Sequence, residues 1–570
     1  MKDYTSRNRA SWPILAVAAA LSANAGKAPS VSRLTPPSEL FSSGDSNPPI
    51  ISRFFVGQKF DLQATVRPDA GQSITGFQFA VDGGPVTPAA GASSIVTADL
   101  VAGLPAKTAV VSVRGYKNRK RDRHTLSLTA MQSDGQTVTA SGNFEVVGYH
   151  RFAGPRTKNV IIMLGDGMGS GHRTAARIMQ FGIAQGKAKG RLAMDTFPVT
   201  ASIGGRKWFL PNPTDCPDTG CGSASGFNGS ARASSTDYTL PTDIVAGWGS
   251  APGALDAGRD LIADFQGAGW NYAHDTASMS AAGPGPLLGL FSLSNMNIAL
   301  DKIGKRRGTS TVVDDYGFPD QPLLEEMTAK ALEVLDANSP RGFVLLVEGA
   351  SIDKQAHSMD TERWVLDTIE FDKSIAVAQQ YAKENPDTLV LITADHECGG
   401  VAVIGGSRVT DADLQLRIAT GQGASQVRNG VVGTYESAGF PQYSISATDG
   451  YPSNTDPDKK MLIGYAANAD RYEDWRTNPQ PLRDSQQPGN NVAPLDTYPS
   501  GPLNRDTTGN FLVTGQIADV VAAHTANDIP LSACGRGASL LRGTMDNTDV
   551  FFAMMQATVG GWPNALTRCK

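Results

Sequence analysis

From residue 53 to about 149, apolar and polar positions alternate in short runs at 60–66, 75–81, 109–113, 125–129 and 144–147. A period of two is the signature of half-buried strands. Turn clusters such as Asp82-Gly83-Gly84 and Ser133-Asp134-Gly135 separate the runs. Short strands at regular spacing predict a small all-β sandwich of immunoglobulin-like type over residues 53–150. Residues 26–52, rich in Pro, Ser and Gly, read as a linker.

The pattern changes at Arg156. Continuous apolar runs at 158–164, 343–347 and 388–393 read as buried strands, and residues 174–185 as a helix. Residues 361–382 carry Val365, Ile369 and Ala376 at helical spacing. This rhythm predicts an α/β domain over 156–560, its sheet mainly parallel with helices on both faces. Residues 405–515, Gly-, Pro-, Asn- and Asp-rich, read as a loop-rich insertion covering the site. A last helix is expected over 547–557, with Asp546 as its N-cap. There are no internal repeats.

At 570 residues the chain is too long for one core, so two or more domains follow. A net charge of −5 leaves no basic face for nucleic acid. The one basic run, residues 117–124, reads as a solvated hairpin rather than an anionic-surface contact. Lys2, Arg7 and Arg9, the short apolar stretch 12–21 and Ala23-Asn24-Ala25 have the order of an export signal, residues 1–25. The stretch is shorter than the ~20 residues a spanning helix needs. An exported, periplasmic or secreted chain is therefore expected, with no membrane contact after signal removal. Of five cysteines, Cys216 and Cys221 are close enough to bridge, Cys534 and Cys569 could pair, and Cys398 is left over. Connectivity stays open at this point.

Candidate chemistry lies where apolar runs end. Asp166 follows the first strand. Glu348 ends the second, with Asp353 and His357 just beyond. Asp395 and His396 follow the third, and His524 lies near the end of the chain. Parallel sheets present functional residues at the carboxyl ends of strands. Asp353 and His357, four apart, can face one ion from one helical turn. Mixed carboxylate and imidazole donors suit catalytic zinc, and two neighbouring ions can stabilise both oxygens of a phosphoryl transfer. Three of only seven histidines fall in these segments. Seen alone, Asp166 fits a helix cap and His524 a surface position equally well.

Together these segments resemble the alkaline phosphatase family. The residues that carry the resemblance are Leu164-Gly165-Asp166-Gly167-Met168-Gly169, the stretch from Val347 to His357, Thr393-Ala394-Asp395-His396-Glu397 and the stretch from His524 to Pro530. Gly204-Gly205-Arg206-Lys207-Trp208-Phe209 and residues 287–291 look like further landmarks. The resemblance implies an alkaline-phosphatase-like three-layer sandwich and hydrolysis of a small-molecule phosphate monoester. It implies two Zn2+ and one Mg2+. Asp353, His357 and His524 would hold the first zinc, and Asp166, Asp395 and His396 the second. Glu348, with Asp166 bridging, would supply part of the magnesium site. A homodimer is one open oligomeric state. A phosphodiesterase or sulfatase on the same fold matches the Glu348–His357 stretch less well.

The chain departs from the family at the nucleophile. The family carries its serine after the Asp166 strand and before the Gly-Gly-Arg-Lys-Trp-Phe landmark. Here Val199-Thr200-Ala201-Ser202-Ile203 passes directly into that landmark. The serine, the remaining magnesium ligands and the phosphate-clamping arginine are missing with the segment. Thr219 and Ser223, in Asp218-Thr219-Gly220-Cys221-Gly222-Ser223, are substitutes in the wrong order, and the bland reading is a structural loop. Ser202 has no preceding acid. The nucleophile is thus unknown. The alternative function is a catalytically impaired relative that keeps its metals and acts as a binding protein.

Overall fold

A computed structural model describes residues 26–38, 40–41, 49–97, 107–184, 187–204, 260–292, 295–303, 320–357, 359–407, 431–432, 443–453, 461–465, 522, 524–525, 527–561 and 567–569. The expected export signal, Thr219, Ser223, Cys216 and Cys221 lie outside these residues. The chain divides into two compact units, Met1–Tyr149 and His150–Lys570.

The first unit holds β1 (Ser30–Thr35), β2 (Arg53–Phe55), β3 (Lys59–Arg67), β4 (Ile74–Val81), β5 (Gly84–Pro85), β6 (Ser93–Thr97), β7 (Ala109–Lys117), β8 (Asp122–Gln132) and β9 (Thr137–Val147). They form a four-stranded sheet, β1-β3-β7-β6, and a five-stranded one, β2-β9-β8-β4-β5. Alternation does the work. Leu62, Ala64 and Val66 of β3 are buried, and they share one core with Val111, Phe79, Leu126, Leu128 and Phe144. Two expectations need correction. The supposed linker contains β1, which pairs antiparallel with β3 and buries Leu34 in that core. Its Pro and Ser content hid a strand that only β3 can reveal. The basic run is exposed, but it joins β7 of one sheet to β8 of the other and is not a hairpin. His124 at its end is buried, with Nδ1 2.7 Å from Asp82 Oδ2.

The second unit is built on six strands, here β10 (Asn159–Gly165), β11 (Val199–Gly204), β12 (Val344–Gly349), β13 (Thr388–Thr393), β14 (Ile529–Gly535) and β15 (Gly543–Asp546), in the order β12-β10-β13-β14-β11-β15. β10 pairs parallel with β12 and β13. The sheet is mainly parallel, as its sequence predicts, with one exception: β14 runs antiparallel to both β13 and β11, while β11 pairs parallel with β15. Pro530 and Ser532 break β14's apolar run, so its strand character comes from insertion between two neighbours. β13, buried at every position, is the continuous apolar strand its sequence predicts.

Helix α1 (Ser170–Phe181) starts four residues earlier than its spacing suggests. α2 (Leu324–Asn338) and α3 (Ser351–His357) precede α4 (Thr361–Glu384), the central helix of the unit. Asp360 caps α4 by accepting from Arg363 N. Trp364, Leu366, Ile369, Phe371 and Ile375 bury α4 in the core. The last helix is Asn547–Met555, with Asp546 at its N-cap position but without a side-chain cap bond. Within the expected loop-rich insertion, Tyr451 is buried, and Tyr465 Oη accepts from Trp364 Nε1 at 2.8 Å. Cys534 and Cys569 form a disulfide, while Cys398 is a free, buried thiol. Among the described residues, the β12 face bearing Val344 and Leu346 is open, at 69% and 57% exposure. No described helix is long and apolar enough to cross a membrane.

Candidate metal centre

Register places the candidates. Leu164 of β10 lies opposite Glu348 of β12 on one side and Thr393 of β13 on the other. Parallel pairing therefore carries Asp166, Glu348 and Asp395 to one edge of the sheet. Gly167 makes the turn possible with φ +70, and a Cβ there would lie 2.9 Å from Asp353 Cα. Its N–H donates to Asp395 Oδ1 at 3.2 Å, and its carbonyl accepts from Cys398 N at 3.0 Å. His396 N also donates to Asp395 Oδ1, at 3.0 Å. Two amides thus hold that oxygen and leave Oδ2 to face His396.

Two groups of donors result, Asp353/His357/Cys398/His524 and Asp166/Asp395/His396, the ligand atoms of each lying within 4.8 Å of one another. In the first, one helical turn sets His357 Nε2 3.1 Å from Asp353 Oδ2. His524 Nε2 is 3.0 Å from His357 Nε2 and 3.3 Å from Asp353 Oδ1. Donors 2.0–2.1 Å from a tetrahedral zinc stand about 3.3 Å apart, so these spacings fit one ion. His357 Nδ1 lies 2.6 Å from the Ala522 carbonyl. That bond holds the proton on Nδ1 and turns the Nε2 lone pair into the group. In the second group, His396 Nε2 is 3.2 Å from Asp395 Oδ2 and 3.5 Å from Asp166 Oδ1. The His396 and His524 rings stack at 3.6 Å between centroids, bringing the two groups side by side.

The electrostatics call for a cation. Burial, then the charges of Asp395 and Asp353, push the Asp166 carboxyl up to about 9. Burial raises Asp353 too, but the imidazoles of His357 and His524 more than reverse that and hold it well below the carboxylate range. No hydrogen bond reaches the buried Oδ1 of Asp166 or of Asp353. Buried carboxylate oxygens without donors are costly, and a divalent ion would satisfy both. The donor set therefore fits metal.

Glu348 stands apart. Its side chain is exposed and belongs to neither group, although burial of its carboxyl and then the Asp395 charge raise it. Ser202 Oγ donates to Asp528 Oδ2 at 3.1 Å on β11. Cys398 is the member sequence reading left over. The signal was its place two residues after His396.

Residues 157–229 and 204–415 match the sequence profile of the family described as alkaline phosphatase. The chain is 32% identical over 246 residues to alkaline phosphatase H of Pseudomonas aeruginosa, covering 38% of this chain and 50% of that protein. It is 31% identical over 237 residues to the alkaline phosphatase of Escherichia coli, covering 38% and 49%. It is 34% identical over 203 residues to the streptomycin-6-phosphate phosphatase of Streptomyces griseus, covering 32% and 43%. The chain thus spans about half the length of the curated relatives it matches. Among solved structures, the alkaline phosphatase of Thermus thermophilus superposes with a TM-score of 0.39 at 18% identity, covering 73% of this chain and 94% of that one.

Proposed function

We propose, from the premise that this chain belongs to the alkaline phosphatase family, that it hydrolyses phosphate monoesters with the help of metal ions. The observation that carries this is the pair of donor groups side by side at one sheet edge, each with a buried carboxylate oxygen that no hydrogen bond reaches. Asp353, His357 and His524 would hold one zinc and Asp166, Asp395 and His396 a second. Glu348 would contribute to a magnesium site with Asp166. Bound ions of this kind polarise phosphoryl oxygens and make oxygen nucleophiles available at neutral pH.

The chain's own residues prepare the site. Two amides orient Asp395, and the Ala522 carbonyl sets the tautomer of His357. Gly167 lets α3 approach the turn that bears Asp166. The nucleophile remains unassigned; Ser202, a weak candidate from the sequence, donates its hydroxyl to Asp528 Oδ2. The signal-like residues 1–25 support an exported protein.

The deciding experiment is turnover of a chromogenic phosphate monoester at alkaline pH by zinc- and magnesium-loaded protein. The His396→Ala variant, prepared identically, controls for host phosphatase. Turnover by the parent and none by the variant is expected. No turnover by a parent that retains zinc would overturn the enzymatic reading in favour of a metal-binding relative.

A further inference from the structure

The group around Asp353 contains a fourth side chain. Cys398 stands directly opposite His524 in the two-residue antiparallel ladder formed by Glu397–Cys398 and His524–Thr525. Residues opposite each other across such a ladder send their side chains to the same face. Glu397 and Thr525 point the other way, where Thr525 Oγ1 and Asn527 Nδ2 donate to Glu397 Oε2. The ladder therefore delivers thiol and imidazole together, against the carboxylate and imidazole that α3 supplies from Asp353 and His357.

Two observations point to a ligand at that face. Asp353 is 9% exposed, and no hydrogen bond reaches its Oδ1 although His524 and Cys398 face it. Cys398 is wholly buried and forms no disulfide. Its sulfur makes a 3.8 Å contact to the Asp353 carbonyl, a weak S–H bond that is readily given up.

We infer, resting on the metal-dependent reading above, that Cys398 is the fourth protein ligand of the ion held by Asp353, His357 and His524. Coordination forms one Sγ–metal bond, breaks the S–H bond and releases that proton to solvent. The soft thiolate would favour zinc over magnesium at this group.

Cobalt(II) in place of zinc tests this. The holoprotein is expected to show visible d–d bands together with a near-ultraviolet thiolate-to-cobalt charge-transfer band. Cys398→Ser should lose the charge-transfer band while d–d bands from bound cobalt remain. The double variant Cys216→Ser/Cys221→Ser should keep it, and this decides the matter if Cys398→Ser does not fold. X-ray absorption of the zinc form should find a sulfur scatterer at about 2.3 Å. Bound cobalt without the charge-transfer band, or a band that disappears only in the double variant, overturns the ligand assignment alone. A protein that binds no cobalt overturns the metal-dependent reading as well.

Discussion

The Nδ1 of His357 lies 2.6 Å from the carbonyl oxygen of Ala522, a residue far along the chain. Whatever holds that carbonyl in place also sets which nitrogen of His357 faces Asp353.

Removing a donor should therefore remove an ion. Asp353→Ala takes away the carboxylate that both His357 and His524 face, at 3.1 and 3.3 Å. Bound zinc is expected to drop by about one ion per chain, since the group loses its one carboxylate and the negative charge that offsets the ion. Unchanged zinc by elemental analysis would show that the donor group is misassigned.

Lys302 and Glu370 form a buried pair, 2.6 Å apart at 5% and 6% side-chain exposure. Lys302→Met leaves Glu370 a buried carboxylate without its counter-ion. Breaking such a pair from one side costs about 3–5 kcal/mol. Adding Glu370→Gln, which still accepts from Leu324 N, should restore a large part of that. Denaturant unfolding of the single and double variants measures the coupling; a merely additive double variant would falsify it.

Glu325 gives the larger unit a pH dependence. Burial, then the charge of Glu370, push its carboxyl up to about 7. A folded pKa above the unfolded one contributes stability that is full below the unfolded pKa and is lost as pH rises through the folded pKa. Melting temperature should therefore fall between about pH 4.5 and about pH 7 from this group. In Glu325→Gln, which keeps a partner for Tyr451 Oη, that part of the slope should vanish. Identical slopes in parent and variant would exclude Glu325 as the source.

β1 predicts a cost for trimming the N-terminus too far. Leu34 is 3% exposed in the core of the first unit. Leu34→Ala should cost about 2–5 kcal/mol, and removal of residues 26–35 should expose the edge of β3. A thermal transition of the first unit unmoved by either change would mean that the segment is the linker its composition suggests.

Legibility from sequence tracked locality. The strand Thr388–Thr393 and the start of α4 at Thr361 can be read directly, because continuous apolar runs and helical spacing fit inside a short window. β1 and β14 cannot be read that way. Ser30, Ser32 and Arg33 dilute the first, and Pro530 and Ser532 the second, so each is a strand only because a neighbour pairs with it.

By itself, the sequence determined which side chains could act. Asp353 and His357 share a helical turn, Asp395 and His396 are adjacent, and Asp166 follows a buried strand, all through spacing along the chain. The tertiary structure alone decided which of them meet. Parallel pairing of β10 with both β12 and β13 brings three strand ends to one edge. The Cys398–His524 ladder adds a thiol from a segment that spacing had left over. Contacts between residues distant in sequence depend on which strands find each other, and that is settled by burial and hydrogen bonding across the whole domain.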